Sequence, residues 1–284
     1  MADVTVSIEV CRRHMATVTR DGAVIAYDVW APEAGADNAP AVVLLHNIFC
    51  DRRVFEHAVA MLRSRFRTIA IDFRGHGESP LGPRPYAVAD LADDVVAVLD
   101  REKIARASVV GLSLGATVAM ELALSHPSRV ERLVLMGADA APDGGLASFR
   151  NALFCRLVML MGMRWFLLAG VTTTLFGAWF RRHAPDRFHV FRQRLADLDR
   201  RAAQYAMGAW TGRRPLLDAV ASLEVPVRIV VGDQDASCPL PCGERLRDAI
   251  AGADLVRVPD AGHTMTAERP EETTAAIVSF LDRR

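Results

Sequence analysis

Residues 107–115 read Ala-Ser-Val-Val-Gly-Leu-Ser-Leu-Gly, and the fold turns on how they are parsed. ASVVGL, 107–112, is a short unbroken apolar run, the pattern of a strand buried on both faces, as in a parallel sheet. Residues 115–126 then read as a helix. Between the two, Gly111-Leu112-Ser113-Leu114-Gly115 must turn the chain sharply. Gly, Ser and Gly at these three fixed positions recur by chance in about one chain in ten of this length, so the strand–turn–helix context carries the reading. Such a turn strains the serine backbone and lifts its hydroxyl out of the sheet, while the flanking glycines let strand and helix approach without Cβ clashes. It also aims the Leu114 N–H at a point where an oxyanion could form. The competing reading is an ordinary glycine-rich strand–helix loop.

The same apolar runs recur on either side: AVVLLH (41–46), RTIAID (67–72), RLVLMG (132–137), PVRIVVG (226–232) and DLVRVP (254–259). Helical patterns alternate with them at 51–64, 87–102, 242–251 and 270–283. In the second, Leu91, Val95, Val98 and Leu99 recur at helical spacing. The alternation predicts an α/β fold: a mostly parallel, twisted sheet of about eight strands flanked by helices. Segments 15–20 and 23–30, joined by Asp21-Gly22, predict an antiparallel hairpin at one edge. Residues 141–214 break the pattern. They read as helices near 145–161, 164–181 and 186–207, inserted after the sixth strand. The core domain is therefore expected at 1–140 and 215–284, with a helical insertion at 141–214. That insertion holds 12 Arg, 4 Asp, no Lys and no Glu, a net of +8, which leaves −8 for the rest of a neutral chain.

Composition narrows the function classes. With 284 residues, 51% hydrophobic and 24% charged, the chain is neither disordered nor a disulfide miniprotein. Zero net charge argues against a dedicated nucleic-acid binder. Cys11, Cys50, Cys155, Cys238 and Cys242 are odd in number and scattered, which argues against a disulfide framework. Cys238 and Cys242 lack the further ligands a zinc site needs, so no metal is expected. The start, MADVTVSIEVCRRHM, has no apolar core of signal-peptide length, and Arg156 and Arg164 interrupt the longest apolar stretch. A cytoplasmic protein without a membrane span is expected.

A serine nucleophile needs a base, and the base an orienting acid. His263, in Asp260-Ala261-Gly262-His263, follows the run at 254–259. Asp235, in Gly232-Asp233-Gln234-Asp235, follows the run at 226–232. Loops at the carboxyl ends of parallel strands are where sites form in open α/β sheets. Asp139 and Asp233 compete for the role of acid. His46-Asn47-Ile48-Phe49 follows the first parallel strand, and the Ile48 N–H is the expected second oxyanion donor beside Leu114. Asp72 to Ser79, charged and rich in glycine, reads as a structural loop, and its His76 as no base.

The motifs LLHNIF (44–49), DFRGHGES (72–79), GLSLG (111–115), GDQD (232–235) and GHTMTAERPEE (262–272) together resemble the α/β-hydrolase fold superfamily. The resemblance covers 15–140 and 215–284. It is nearest to small, capped, cofactor-free bacterial members: esterases, 3-oxoadipate enol-lactonase-like lactonases, C–C bond hydrolases and non-haem haloperoxidases. It implies Ser113 as nucleophile, Asp235 as acid and His263 as base, in the chain order that fold uses. It further implies no cofactor and a cap at 141–214 over the pocket. The implied activity is cleavage of a carboxylic ester or lactone of a small, apolar substrate through an acyl-enzyme on Ser113. The alternatives are C–C bond hydrolysis, a haloperoxidase or perhydrolase reaction with the same triad, and a non-catalytic ligand-binding protein. Ser at 113 argues against the epoxide hydrolases and haloalkane dehalogenases, which use aspartate. Two positions depart from the pattern. Asn47 stands where the family usually has a glycine that often needs positive φ, and Ala116 replaces a glycine after the turn.

Substrate identity falls to the insertion, where motifs are silent. Its apolar side chains between 153 and 180 read either as a pocket roof, as the insertion's own core, or as a surface for lipid or a partner. Phe49, Trp165, Phe166 and Trp179 are the candidate pocket residues. Arg181-Arg182 and Arg213-Arg214, near the insertion's joints, are candidates for attracting a carboxylate or phosphate.

Overall fold

Eight strands pair edge to edge in the computed structural model, which describes residues 13–32, 39–141 and 145–283. They are β1 (Arg13–Arg20), β2 (Ala23–Trp30), β3 (Ala41–Leu45), β4 (Arg67–Ile71), β5 (Ala107–Leu112), β6 (Val130–Met136), β7 (Val227–Gly232) and β8 (Asp254–Val258). Their order across the sheet is β1-β2-β4-β3-β5-β6-β7-β8. The hairpin β1–β2 turns on Asp21 (φ 50) and Gly22 (φ 74), and β2 pairs antiparallel with β4. Every other pairing is parallel.

Outside the insertion the helices are α1 (Glu56–Leu62), α2 (Val88–Arg101) and α3 (Leu114–Ser125) before it, and α9 (Leu240–Ala249), α10 (Met265–Glu268) and α11 (Pro270–Leu281) after it. Period-two alternation divides each parallel strand between two helical layers. Val43, Leu45, Val109, Leu135 and Ile229 share one core with Leu91, Val95 and Met120 of α2 and α3. Val42, Leu44, Val110, Val134 and Val230 share the other with Leu62 of α1 and Ile277 and Phe280 of α11. Each such side chain contributes roughly 1.5–3 kcal/mol by leaving water. Because both faces are covered, the strands read as unbroken apolar runs.

Among the described residues the insertion holds five helices where the periodicity predicts three: α4 (Gly145–Met161), α5 (Trp165–Leu175), α6 (Ala178–His183), α7 (Pro185–Ala196) and α8 (Arg200–Thr211). Each extra break has a local cause. Phe176 and Gly177 are extended (ψ 130 and 156), Pro185 opens α7, and the Asp199 carboxylate caps α8 by accepting from the Ala202 N–H at 2.8 Å. The apolar stripe runs through these breaks, which hides them from a periodicity reading. Phe176 and Phe180 stack at 5.7 Å, and Phe191 packs 5.3 Å from Phe176, so these rings pack together within the insertion, and Phe176 and Phe180 belong to the same buried cluster as the sheet. Arg214 grips Glu121 of α3 with two bonds, of 2.9 and 3.0 Å, and Arg213 lies 3.9 Å over the Trp210 ring. Arg214 thus fastens the insertion to the core. No helix among the described residues is long and apolar enough to cross a membrane. Cys11 with the amino-terminal segment, most of the loop at 31–40, and the side chains of Cys155 and Met159 lie outside the described residues.

Candidate active site

The strand order changes direction around β3: β4 lies on one side of it and β5 on the other. The loops after β3 and β5 therefore flank the crevice at which open α/β sheets bind ligands. Ser113 stands at the β5–α3 junction with φ 55 and ψ −111, a conformation that costs a non-glycine residue about 1–3 kcal/mol. Its N–H donates to Met136 O at 2.8 Å, and its carbonyl accepts from the Thr117 N–H at 3.0 Å. The neighbouring glycines are required by contact. A Cβ at Gly111 would lie 2.3 Å from Gly115 O, and one at Gly115 would lie 2.1 Å from Leu45 O.

The bond from Ser113 to Met136 leads directly to Gly137, which underlies the next pair. A Cβ at Gly137 would sit 3.1 Å from His263 Nδ1 and 3.2 Å from Asp235 Oδ2. Both carboxylate oxygens of Asp235 reach His263 Nδ1, at 3.0 and 2.9 Å. Backbone N–H groups of Ser237 and Cys238 donate to Asp235 Oδ1, each at 2.8 Å, and fix the carboxylate. With Nδ1–H donating to Asp235, Nε2 is the ring's basic nitrogen. Burial pushes the His263 imidazolium down, but the charge and hydrogen bond of Asp235 and the charge of Glu268 outweigh it, so its pKa is raised. The rival acids are engaged elsewhere. Asp139 accepts from the Ala141 N–H at 2.9 Å and pairs with Arg245 at 3.3 Å, and Asp233 pairs with Arg257 at 2.8 Å.

The turn after β3 is a scaffold held by two neutral histidines. His46 Nε2 accepts from the Phe73 N–H at 3.0 Å, while Nδ1–H donates to Asn47 O at 2.8 Å. His76 Nε2 accepts from the Phe49 N–H at 3.4 Å, and Nδ1–H donates to Arg74 O at 3.1 Å. Burial pushes the two imidazoles down to about 4 and about 3, which preserves the acceptor nitrogens. His76 is thus spent on the loop. The rest of 72–79 ties itself in: Asp72 accepts N–H groups of Arg52 (2.7 Å) and Glu78 (2.8 Å), and Ser79 Oγ donates to Asp72 O at 2.7 Å.

One expectation about this turn is corrected. The residue at positive φ is Phe49 (φ 64), not Asn47. The Cys50 N–H donates to Asn47 O at 3.3 Å, so residues 47–50 form a turn whose third position, Phe49, takes the left-handed conformation of a type II turn. Asn47 instead donates through Nδ2 to Thr264 Oγ1 at 3.2 Å, linking this turn to the residue after His263. The N–H groups of Ile48 and Leu114, both in buried residues, donate to no group among the described residues. Unspent buried donors of this kind are what an oxyanion requires.

Glu268 escapes the sequence reading although it lies in the motif around His263. It is 2% exposed. Its carboxylate accepts from the N–H groups of Gly177 (2.8 Å), Gly262 (2.9 Å) and Thr264 (3.0 Å). One side chain thus joins the link between α5 and α6 to both neighbours of His263. Burial pushes the carboxyl up to about 7, against those three N–H bonds and the His263 charge. The available signal was an acid five residues after His263, between two helical patterns.

The four candidate pocket residues disperse. Phe49 lies buried within the 47–50 turn, next to Ile48. Trp165 and Phe166 are 73% and 41% exposed and meet each other edge to face at 5.7 Å. They occupy the solvent side of the first turn of α5, whose buried stripe is Leu167, Leu168, Val171 and Leu175. That exposure sets them apart from the buried stripe of the same helix. Trp179 stacks on His183 at 4.7 Å with the Arg269 guanidinium 4.6 Å over its ring, so it sits at the joint between insertion and core.

Comparison with known proteins gives a concordant picture. A family model described as the alpha/beta hydrolase family matches residues 42–277. A Variovorax paradoxus protein named as a proposed carbamate hydrolase is 32% identical over 232 residues, 79% of this chain and 84% of that one. A pimeloyl-acyl-carrier-protein methyl ester esterase of Neisseria meningitidis is 30% identical over 267 residues, 87% of this chain and 94% of that one. Among solved structures, the enol-lactonase of Burkholderia xenovorans superposes with a TM-score of 0.86 at 29% identity, covering 94% of this chain and 100% of that one.

Proposed function

The chain belongs to the α/β hydrolase family, and from that premise we propose that it is a serine hydrolase of carboxylic esters or lactones, with Ser113, His263 and Asp235 as its triad. The observation that carries this reading is the Asp235–His263 hydrogen bond at the same carboxyl end of the sheet as Ser113, with Gly137 as the joining residue. In the first step Ser113 Oγ bonds the acyl carbon while its proton passes to His263 Nε2. Asp235 holds the imidazole in the required tautomer and stabilises the imidazolium. The N–H groups of Ile48 and Leu114 receive the oxyanion. As the tetrahedral centre collapses, the leaving alkoxide takes the proton from Nε2, and an acyl-serine remains. Water then gives its proton to Nε2 and its oxygen to the acyl carbon, which frees the acid and restores the hydroxyl. Every atom is supplied by substrate, water and these residues. Helices α4–α8 are the cap of this site.

Carbamates are a second substrate class, favoured by the name of the Variovorax relative, because the same steps cleave a carbamoyl carbon. The test is a panel of p-nitrophenyl esters, lactones and carbamates together with labelling by a fluorophosphonate. Turnover of at least one class, with label on Ser113 that is lost in Ser113→Ala, is the expected result. Turnover that survives Ser113→Ala at the wild-type rate overturns the assignment.

A further inference from the structure

Nine large apolar side chains are exposed among the described residues, and six of them lie between positions 149 and 166. On α4, Phe149, Leu153, Arg156 and Leu160 follow one another at steps of four, three and four, so they form one stripe about 16 Å long. All four are exposed, and Val158, on the opposite side of the helix, is buried. Helix α5 carries no charged residue from Trp165 to Leu175. A helix apolar all round is normally covered on every side. Here the side with Trp165, Phe166, Ala169, Gly170 and Thr173 is exposed. The two faces join at 160–166, where Leu160, Met161, Trp165 and Phe166 are exposed with Arg164 among them. Contiguous apolar surface of this kind marks a binding face.

The charge around it selects the partner. From 144 to 185 the chain has five arginines and no Asp or Glu. Arg156 sits in the α4 stripe and Arg164 at the junction, both exposed, and their guanidinium groups make no ion pair or hydrogen bond among the described residues. A second copy of the chain docked on this face would bring the same arginines together, with no acid of α4 or α5 to offset them. An anionic lipid surface offers phosphate to the arginines and acyl chains to the rings at once. Tryptophan, phenylalanine and leucine beside arginine are the residues that settle at such a boundary. At 11 residues α5 is too short to span a bilayer, and α4, with 17, carries Arg150 and Arg156.

We propose that the exposed face of α4 and α5 docks the insertion on an anionic lipid surface, with Leu160, Trp165 and Phe166 entering the headgroup region and Arg156 and Arg164 on the phosphates. The contact is peripheral and reversible, and it is separate from the triad.

The experiment measures co-sedimentation of the full chain with vesicles of phosphatidylcholine alone and of phosphatidylcholine containing about one-third phosphatidylglycerol. Partitioning to the anionic vesicles exceeds that to the neutral ones by about tenfold or more and weakens as salt is raised. Arg156→Gln with Arg164→Gln lowers the anionic partitioning about 25-fold, roughly fivefold for each charge. Leu160→Ser with Trp165→Ser lowers it about tenfold or more. Met15→Ser with Met61→Ser removes two exposed apolar side chains elsewhere and leaves it unchanged. All these positions are exposed, so each variant keeps the wild-type circular dichroism. Absence of binding to the anionic vesicles, binding indifferent to the Leu160–Trp165 pair, or an equal loss in the Met15–Met61 pair overturns the proposal. A concentration-dependent dimer that the Leu160–Trp165 pair abolishes, without vesicle binding, overturns it in favour of a second copy. Ser113→Ala binds vesicles as wild type does, so the result is independent of the serine-hydrolase reading.

Discussion

Replacing Glu268 tests the buried link between the histidine loop and the insertion. The side chain supplies acceptors to three backbone donors, and they differ in their alternatives. Thr264 N–H also donates to Leu175 O at 2.9 Å, so it keeps a partner when the carboxylate is removed. Gly177 and Gly262 have Glu268 Oε2 as their acceptor, at 2.8 and 2.9 Å. Glu268→Ala therefore orphans two buried N–H groups at about 1–3 kcal/mol each, roughly 2–6 kcal/mol together. For a chain of this size 1 kcal/mol corresponds to about 2 °C, so Tm falls by roughly 4–12 °C. Glu268→Gln keeps one carbonyl oxygen for the two glycines and costs less than half as much. Both variants remove a negative charge that raises the His263 pKa, so the acid limb of the kcat/KM profile moves to lower pH. The assays are thermal denaturation at pH 8 and a pH series of p-nitrophenyl ester turnover. An Ala variant that melts within a degree of wild type with an unshifted acid limb refutes the link. Stability carries its own signature. A carboxyl raised from the ordinary 4.5 to about 7 favours the folded state while it is protonated. Its contribution is full below about 4.5 and is lost as pH rises through 7, and Glu268→Gln flattens that stretch of the stability curve.

Ser113→Ala abolishes ester turnover by several orders of magnitude in kcat while the far-ultraviolet circular dichroism stays that of wild type, because a single oxygen is removed from a folded turn. Asp235→Asn lowers kcat by roughly 10⁴ and shifts the residual acid limb to lower pH, because the charge that raises His263 is gone, while Asp139→Asn leaves kcat within about twofold; a large loss at Asp139 with little at Asp235 reverses the assignment. Gly137→Ala places a Cβ 3.1 Å from His263 Nδ1 at a backbone φ of 52, so it lowers kcat about tenfold or more with KM less affected, and wild-type kcat refutes the close packing.

How much of this was legible in the chain follows from the range of each interaction. The α/β class, the strand sequence and the hairpin edge rest on short-range patterns: unbroken apolar runs, helical spacing and an Asp-Gly turn. Those patterns arise because both sheet faces are covered, so each strand carries the mark of its burial in its own residues. The strained Ser113 is partly local too: Gly111 is demanded by a contact within the same turn, whereas Gly115 is demanded by Leu45 of β3. Tertiary structure alone decided what depends on side-chain direction. Asp139, Asp233 and Asp235 all follow core strands, yet only the fold turns Asp235 onto His263, 28 residues away, and the other two onto arginines. The Asn47–Thr264 bond spans 217 residues and the Glu268–Gly177 bond 91. The insertion divides in the same way. Its charge is visible in composition, but whether an arginine faces Glu121, as Arg214 does, or lies over the Phe191 ring, as Arg194 does, is set by helix packing. Trp165 and Phe166 differ from Leu167 and Leu168 by one to three positions on α5. In a stretch apolar all round, only the neighbouring helices determine which side of that turn meets water.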